Sequence, residues 1–171
     1  MNNFFVRFGM VFVAVFGAIF LVVWFYLSAV STAQAAGEPP VASGESERFQ
    51  TGHITITSAD GRNHDFQVEL AVTPAQQSRG LMFRKTLAAD HGMLFDYHPP
   101  RRIAMWMKNT FVSLDMLFFD AKGRVAHMAT RTEPLSQDLI ATPMAIRYVL
   151  EVPAGTVERF KLGLGDRLQM R

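Results

Sequence analysis

HITITSADGRNHDFQVEL, residues 53–70, decides the architecture. Ile54 and Ile56 alternate with threonines, Asp60-Gly61 is a turn dipeptide, and Phe66, Val68 and Leu70 alternate with polar side chains. Successive side chains on a strand point to opposite faces, so a period of two on both sides of an Asp-Gly turn specifies a β-hairpin with one apolar face. Next comes Thr73-Pro74-Ala75-Gln76, which supplies a capping threonine, a proline at the first helical position and a glutamine three residues after the cap, and Gly80 can stop the helix. Short apolar runs follow at Gly92–Phe95, Ile103–Met107, Leu114–Phe119, Val125–Ala129 and Ile146–Val152, all of strand length. Asp120-Ala121-Lys122-Gly123 makes a hairpin turn, Gly155-Thr156 opens a short helix over 157–162 that Gly163 stops, and Leu168 and Met170 belong to a last strand. The expected fold is mainly β: a sandwich or partly closed barrel of about seven or eight short strands with two short helices, preceded by an N-terminal hydrophobic helix. GMLFDY and DMLFFD share Met-Leu-Phe, which reads as two equivalent core strands, three residues being too few for a duplication.

Upstream of the hairpin, Phe8–Val30 is free of charge over 23 residues, enough for a helix to cross a hydrocarbon core of roughly 30 Å. Arg7 precedes it and Glu38, Glu45 and Glu47 follow, so the charge asymmetry predicts export of everything beyond. Ala33-Gln34-Ala35 before Ala36 fits signal peptidase, while the length of the run fits a permanent anchor in the inner membrane. The expected organisation is a signal peptide or signal anchor over 1–36, a flexible spacer over 37–47 (GEPPVASGESE), and one β domain over 48–171, placed in the periplasm or otherwise outside the cytoplasm.

Residues 1–36 hold one base and no acid, so the part beyond them carries 16 bases against 15 acids. A net charge of +1 without a lysine-arginine run gives no long-range pull on phosphate backbones, and nucleic acid is not an expected partner. With no cysteine, the domain has no disulfide, thiolate nucleophile or cysteine-ligated metal, and its stability must come from a core.

RGLMFR (79–84), GMLF (92–95), MWMKNT (105–110), Leu114-Asp115, Leu150-Glu151 and Gly165-Asp166, in this order and spacing, resemble domain of unknown function family 192 across roughly residues 50–171. The resemblance implies a compact, mostly β, sandwich-like domain, often exported, and carries no established reaction. The residues must therefore argue for a function themselves.

On a strand, Met105 and Met107 share one face and fill the core, and Trp106 takes the other. Lys108, Asn109 and Thr110 then stand where the strand leaves the sheet. There, short polar side chains bond neighbouring backbone, or an ammonium, an amide and a hydroxyl together hold an anionic or hydroxyl-rich ligand. Asp115 interrupts an apolar strand and, facing inward, needs a partner, for which Lys108, Arg84 and Arg79 are the nearest candidates. Glu151 and Asp166 also interrupt apolar surroundings and can accept from loop amides.

The expected site is one polar-rimmed pocket built by RGLMFR and MWMKNT, with Arg79, Arg84, Trp106, Lys108, Asn109, Thr110 and Asp115 as its ligand-binding residues. The expected protein is a non-enzymatic binding or accessory domain of the envelope, without cofactor, acting on a small molecule or an envelope component. A second reading is Cu(I) handling by Met105, Met107, His91 and His98, since thioether and imidazole suit that ion and an indole can cover its open side. Against zinc, the five histidines show no tight ligand spacing. A third reading is a hydrolase-like enzyme with a Lys-Asp or His-Asp relay, although Ser58, Ser78, Ser113 and Ser136 lack a Gly-x-Ser-x-Gly setting.

Overall fold

The computed structural model describes residues 48–171; the expected membrane-targeting segment over 1–36 and the spacer over 37–47 lie outside the described residues. The hairpin forms as β1 (Gln50–Thr57) and β2 (Asn63–Ala71), with Ile54 opposite Phe66 and Gly61 taking a positive φ of 83° in the turn. Helix α1 (Pro74–Arg79) follows, then β3 (His91–Arg101), β4 (Ala104–Met105), β5 (Leu114–Phe119) and β6 (Val125–Ala129). The chain ends with β7 (Ile140–Ala141), β8 (Ile146–Pro153), α2 (Thr156–Phe160) and β9 (Arg167–Met170).

Seven strands make one sheet in the order β6-β5-β8-β3-β2-β1-β9, and β4 pairs with β7 in a small second sheet. Among the described strands only β2 and β3 run parallel, because the segment holding α1 carries the chain back across the sheet between them. The large sheet is curled. Ile54 and Ile56 of β1 share a cluster with Leu94 of β3, Leu117 of β5 and Val125 of β6, strands from nearly opposite ends of the order, which requires the sheet to wrap around that face. At one corner its edges meet: Arg124 bridges to Arg167, and the amide of Leu168 donates to the carbonyl of Gly123 at 2.8 Å.

The opposite face is covered too, by Leu81, Ile103, Met105 and Met107 packed on Met93, Phe95, Met116, Phe118 and Val149. Strands β3, β5 and β8 are thus buried on both sides, which accounts for continuous apolar runs where one-sided strands alternate. Met93-Leu94-Phe95 and Met116-Leu117-Phe118 flank β8 symmetrically, each set standing opposite Glu151, Leu150 and Val149. Their shared tripeptide reflects two equivalent positions in the sheet.

The expected strand over 103–107 shrinks to Ala104–Met105, since the amide of Met107 leaves the β4–β7 register to donate to the carbonyl of Ser136 (3.0 Å). Its partner β7 is two residues long and has no period to read. Strand β3 runs on past the apolar GMLF to Arg101.

Close packing beside β8 shows at Gly92, where a Cβ would come within 2.5 Å of the Glu151 carbonyl oxygen and 3.0 Å of Val152 Cγ1. Gly92→Ala is expected to destabilise the domain by about 1–3 kcal/mol, as overpacking does. A urea titration checks this; an unchanged midpoint would mean that β3 and β8 are not so closely apposed.

Candidate functional site

A capping box fixes the first wall of the site. Thr73 Oγ1 accepts from the Gln76 amide (3.2 Å), and Gln76 Oε1 accepts from the Thr73 amide (3.0 Å). Gln77 Nε2 donates to the carbonyl of Asp96 (2.8 Å), which docks α1 against β3. Gly80 ends the helix with φ 47°, and a Cβ there would meet Phe95 Cζ at 3.2 Å, so the residue must be glycine for the turn to lie on the aromatic ring.

The second wall is MWMKNT. Met105 and Met107 are buried and Trp106 is 45% exposed, the alternation of an extended segment. The Thr110 amide then donates to the Met107 carbonyl, and Asn109 takes a left-handed φ of 58° that points its own carbonyl at the Phe83 amide (2.7 Å). That bond joins the RGLMFR turn to MWMKNT. The Lys108 ammonium lies 5.3 Å from the centre of the Trp106 ring.

Between these walls is a cavity of about 300 Å³, with Arg79, Tyr97, Arg101, Trp106 and Lys108 among its lining residues and Glu151 reaching into it. Glu151 lies mid-strand in β8, between Met93 and Met116, and is only 4% exposed. Neither a charged partner nor a hydrogen bond contributes to its pKa shift, which comes from desolvation. Burial alone raises its pKa to about 8, so at neutral pH it is mainly a neutral acid that can both donate and accept a hydrogen bond. Tyr97 connects it to the mouth: burial first, and then the charge of Glu151, push the phenol upward, while the Arg101 guanidinium, 4.8 Å from its ring, opposes the shift.

Of the residues expected to bind a ligand, Arg79, Trp106, Lys108 and Thr110 line this cavity. Arg84 pairs with Glu69 (2.6 Å) and lines a second cavity beside His53 and His91. Asn109 serves through its backbone, and its side-chain nitrogen lies 3.9 Å from Met82 Sδ. Asp115 differs most from expectation. Its carboxylate accepts from the amides of Arg131 (2.8 Å) and Val157 (2.9 Å), the latter in the first turn of α2, and from no cation. The physical reason is strand parity: Asp115 faces the same side as Leu117 and Phe119, across the sheet from the cavity and from Lys108.

Asp166 accepts from the amides of Ala59 and Gly163, as expected for a carboxylate among loop amides. Glu151 does not, although the two interruptions of apolar sequence look alike. The available signal was position: a carboxylate in the middle of a strand buried on both faces has no loop amide within reach. Met105 Sδ accepts from the Tyr97 hydroxyl (3.4 Å) and Met107 Sδ from the Thr132 hydroxyl (3.2 Å). His91 and His98 are seven residues apart on β3, roughly 23 Å at strand spacing, so they do not converge with the thioethers. Among the described residues no group of three or more His, Cys, Asp or Glu could hold a metal ion.

The sequence pattern of domain of unknown function family 192, described as uncharacterized ACR, matches residues 55–170, and the chain belongs to that family. No curated protein matches. Among solved structures, the chain is similar to a protein from Sinorhizobium meliloti 1021 described as a "putative transcription regulator", with 43% identity and a TM-score of 0.70 over 71% of this chain and 95% of that one. It is also similar to a protein of unknown function from Novosphingobium aromaticivorans DSM 12444, with 33% identity and a TM-score of 0.68 over 80% of this chain and 95% of that one.

Two predictions separate cavity from scaffold. Folded Glu151 keeps its proton up to about pH 8, whereas the unfolded carboxyl loses it near 4.5, so between those values the native state binds more protons and stability falls as pH rises. The expected slope is up to about 1.4 kcal/mol per pH unit, and Glu151→Gln removes it; a wild-type slope that persists in the variant assigns it to other groups. Second, Asp115→Ala strands two amide donors and should cost about 2–5 kcal/mol, while Lys108→Ala at the exposed mouth stays within about 0.5 kcal/mol. Equal losses in denaturant melts would make Lys108 part of the scaffold.

Proposed function

We propose that the protein is an exported binding or accessory domain of the cell envelope, either released after cleavage near Ala35 or held at the inner membrane by residues 8–30. Its ligand is a small hydroxylated anion taken between α1 and MWMKNT. The observation that carries this reading is the Glu151 side chain, 4% exposed in the cavity wall and raised in pKa by burial alone. Burying a polar group without a partner costs about 1–3 kcal/mol, a penalty that a ligand hydroxyl removes on arrival. Arg79, Arg101 and Lys108 at the lining favour a negative group at the other end of the ligand, and the Trp106 face can pack on a ring or carbon chain. A volume near the lower end of the roughly 300–1,000 Å³ of ligand sites limits the ligand to a small molecule.

Catalysis draws less support. A hydrolase needs a nucleophile beside a base, and of the hydroxyls lining the cavity that of Tyr97 is occupied with Met105 Sδ. Copper handling would require the Met105 and Met107 thioethers to give up their hydroxyl donors. The regulator description of the S. meliloti protein is not extended to this chain, whose sequence has no basic run.

Trp106 makes the test direct. In a full-length Trp24→Phe variant it is the sole indole, and its emission is followed while gluconate, glucuronate or glycerol phosphate is added. Saturation by at least one acid below about 1 mM is expected, with binding weakened at least tenfold in Glu151→Leu and in Arg101→Ala. No saturable response to any of the three, from a chain that melts cooperatively, overturns the reading.

A further inference from the structure

Two loops of the cavity wall and a third bonded to them hold bulky apolar side chains in water. Phe83 is 64% exposed, Trp106 45%, Leu135 52% and Leu139 67%. Backbone bonds gather them. The Phe83 amide donates to the Asn109 carbonyl, the Leu135 amide to the Thr110 carbonyl (3.0 Å), and the pairing of Met105 with Ile140 sets Trp106 beside Leu139. Phe83 and Leu135 also have left-handed φ values of 65° and 63°. A residue with a Cβ loses roughly 1–2 kcal/mol in that conformation. Here that loss comes with apolar surface left in water, and the folded state gains nothing visible from either. Single exposed apolar residues call for no account, but four on loops bonded to one another do.

Charge narrows the choice of partner. Segments 79–85 and 101–111 carry Arg79, Arg84, Lys85, Arg101, Arg102 and Lys108 and no acid. Arg84 is engaged with Glu69, whereas Lys85, Arg102 and Lys108 are exposed. The third loop contributes Glu133 and Asp138. The folded residues 48–171 hold 16 bases against 12 acids, a net +4 that the three spacer glutamates conceal in the whole exported chain. Aromatic and aliphatic tips set among cations suit the boundary of an anionic membrane, where each nearby Lys or Arg contributes about 1 kcal/mol. A second copy of the chain would bring cations against cations.

The route of the chain points the same way. Arg48, the first described residue, offers its carbonyl to Gln76 Nε2, and Phe49 lies under the Arg79 guanidinium at 6.0 Å. The first described residues therefore lie at the α1 wall of this cavity. In sequence, 17 residues, 31–47, separate that wall from the apolar run over 8–30.

We propose that the cavity's lip, formed by Phe83, Trp106, Leu135 and Leu139 with Lys85, Arg102 and Lys108, docks on an anionic lipid bilayer. The docking holds whether or not residues 8–30 are retained and does not depend on the cavity's ligand. The probe is the full-length Trp24→Phe chain reconstituted in vesicles of phosphatidylcholine alone or mixed with phosphatidylglycerol. In mixed vesicles Trp106 emission should shift to the blue and be quenched several-fold more by brominated acyl chains than in phosphatidylcholine. Phe83→Ser with Leu135→Ser should abolish the difference, as should Lys85→Glu with Arg102→Glu, a surface change that keeps the test open if the serine pair fails to fold. Glu151→Leu should leave it intact, which separates this proposal from the ligand reading. Identical emission in both vesicle types overturns the proposal. So does a blue shift that follows protein density in the vesicle and not lipid charge, because that outcome assigns the lip to self-association.

Discussion

Strand β8 is the constraint on which the rest depends. It lies between β3 and β5 and is buried on both faces over Val149–Val152, a stretch that must therefore be apolar. Leu150 and Val152 close the core inside the curl, and Val149 belongs to the core on the other side. Gly92 is tied to the same strand, because only hydrogen fits where β3 passes the Glu151 carbonyl. Placing a carboxyl at position 151 departs from this rule at its most central point. The departure costs stability, and it falls where the strand faces the cavity.

Cavity and lip share one construction. A short helix is fixed on β3 by Gln77, a glycine turns the chain over Phe95, and the following Phe83 amide is held by the Asn109 carbonyl. The left-handed backbone of Asn109 thus places three things at once: the outer wall of the cavity, the Lys108 ammonium above Trp106, and Phe83 in solvent. Asparagine is one of the few residues with a side chain that take this conformation readily, which gives the residue a backbone reason for its position in MWMKNT.

Much of the fold was legible because its signals are local. The hairpin, the capping box with Gly80, and strands β5 and β6 follow from period and turn chemistry between neighbours in sequence. The parallel pairing of β2 with β3 and the joining of the sheet's edges depend on contacts between distant residues, and β7 is too short to show a period. At the site, the meeting of RGLMFR with MWMKNT was readable from their composition, since both mix apolar and hydrogen-bonding side chains at the ends of elements. The sequence places Asp115 in the site and Glu151 among loop amides, the reverse of what the structure shows, because which face of a doubly buried strand a carboxylate takes depends on register, and both faces there are apolar. The exposure of Phe83 and Leu135 was hidden for a related reason: an apolar letter in a loop reads as core until the backbone is seen to hold it outward.

The first and last strands of the domain are partners, with Ile54 opposite Met170 and the Arg171 amide bonded to the His53 carbonyl. The outer edge of β1 therefore stays open until the final residues of the chain arrive, however early the hairpin forms. Closure of a contact spanning nearly the whole domain comes late in folding, because the loop entropy must be lost before the pairing repays it. Until then an unpaired strand edge is available to any other chain nearby, so a protein lacking only its last few residues would keep most of its core and lose its protection against edge-to-edge aggregation.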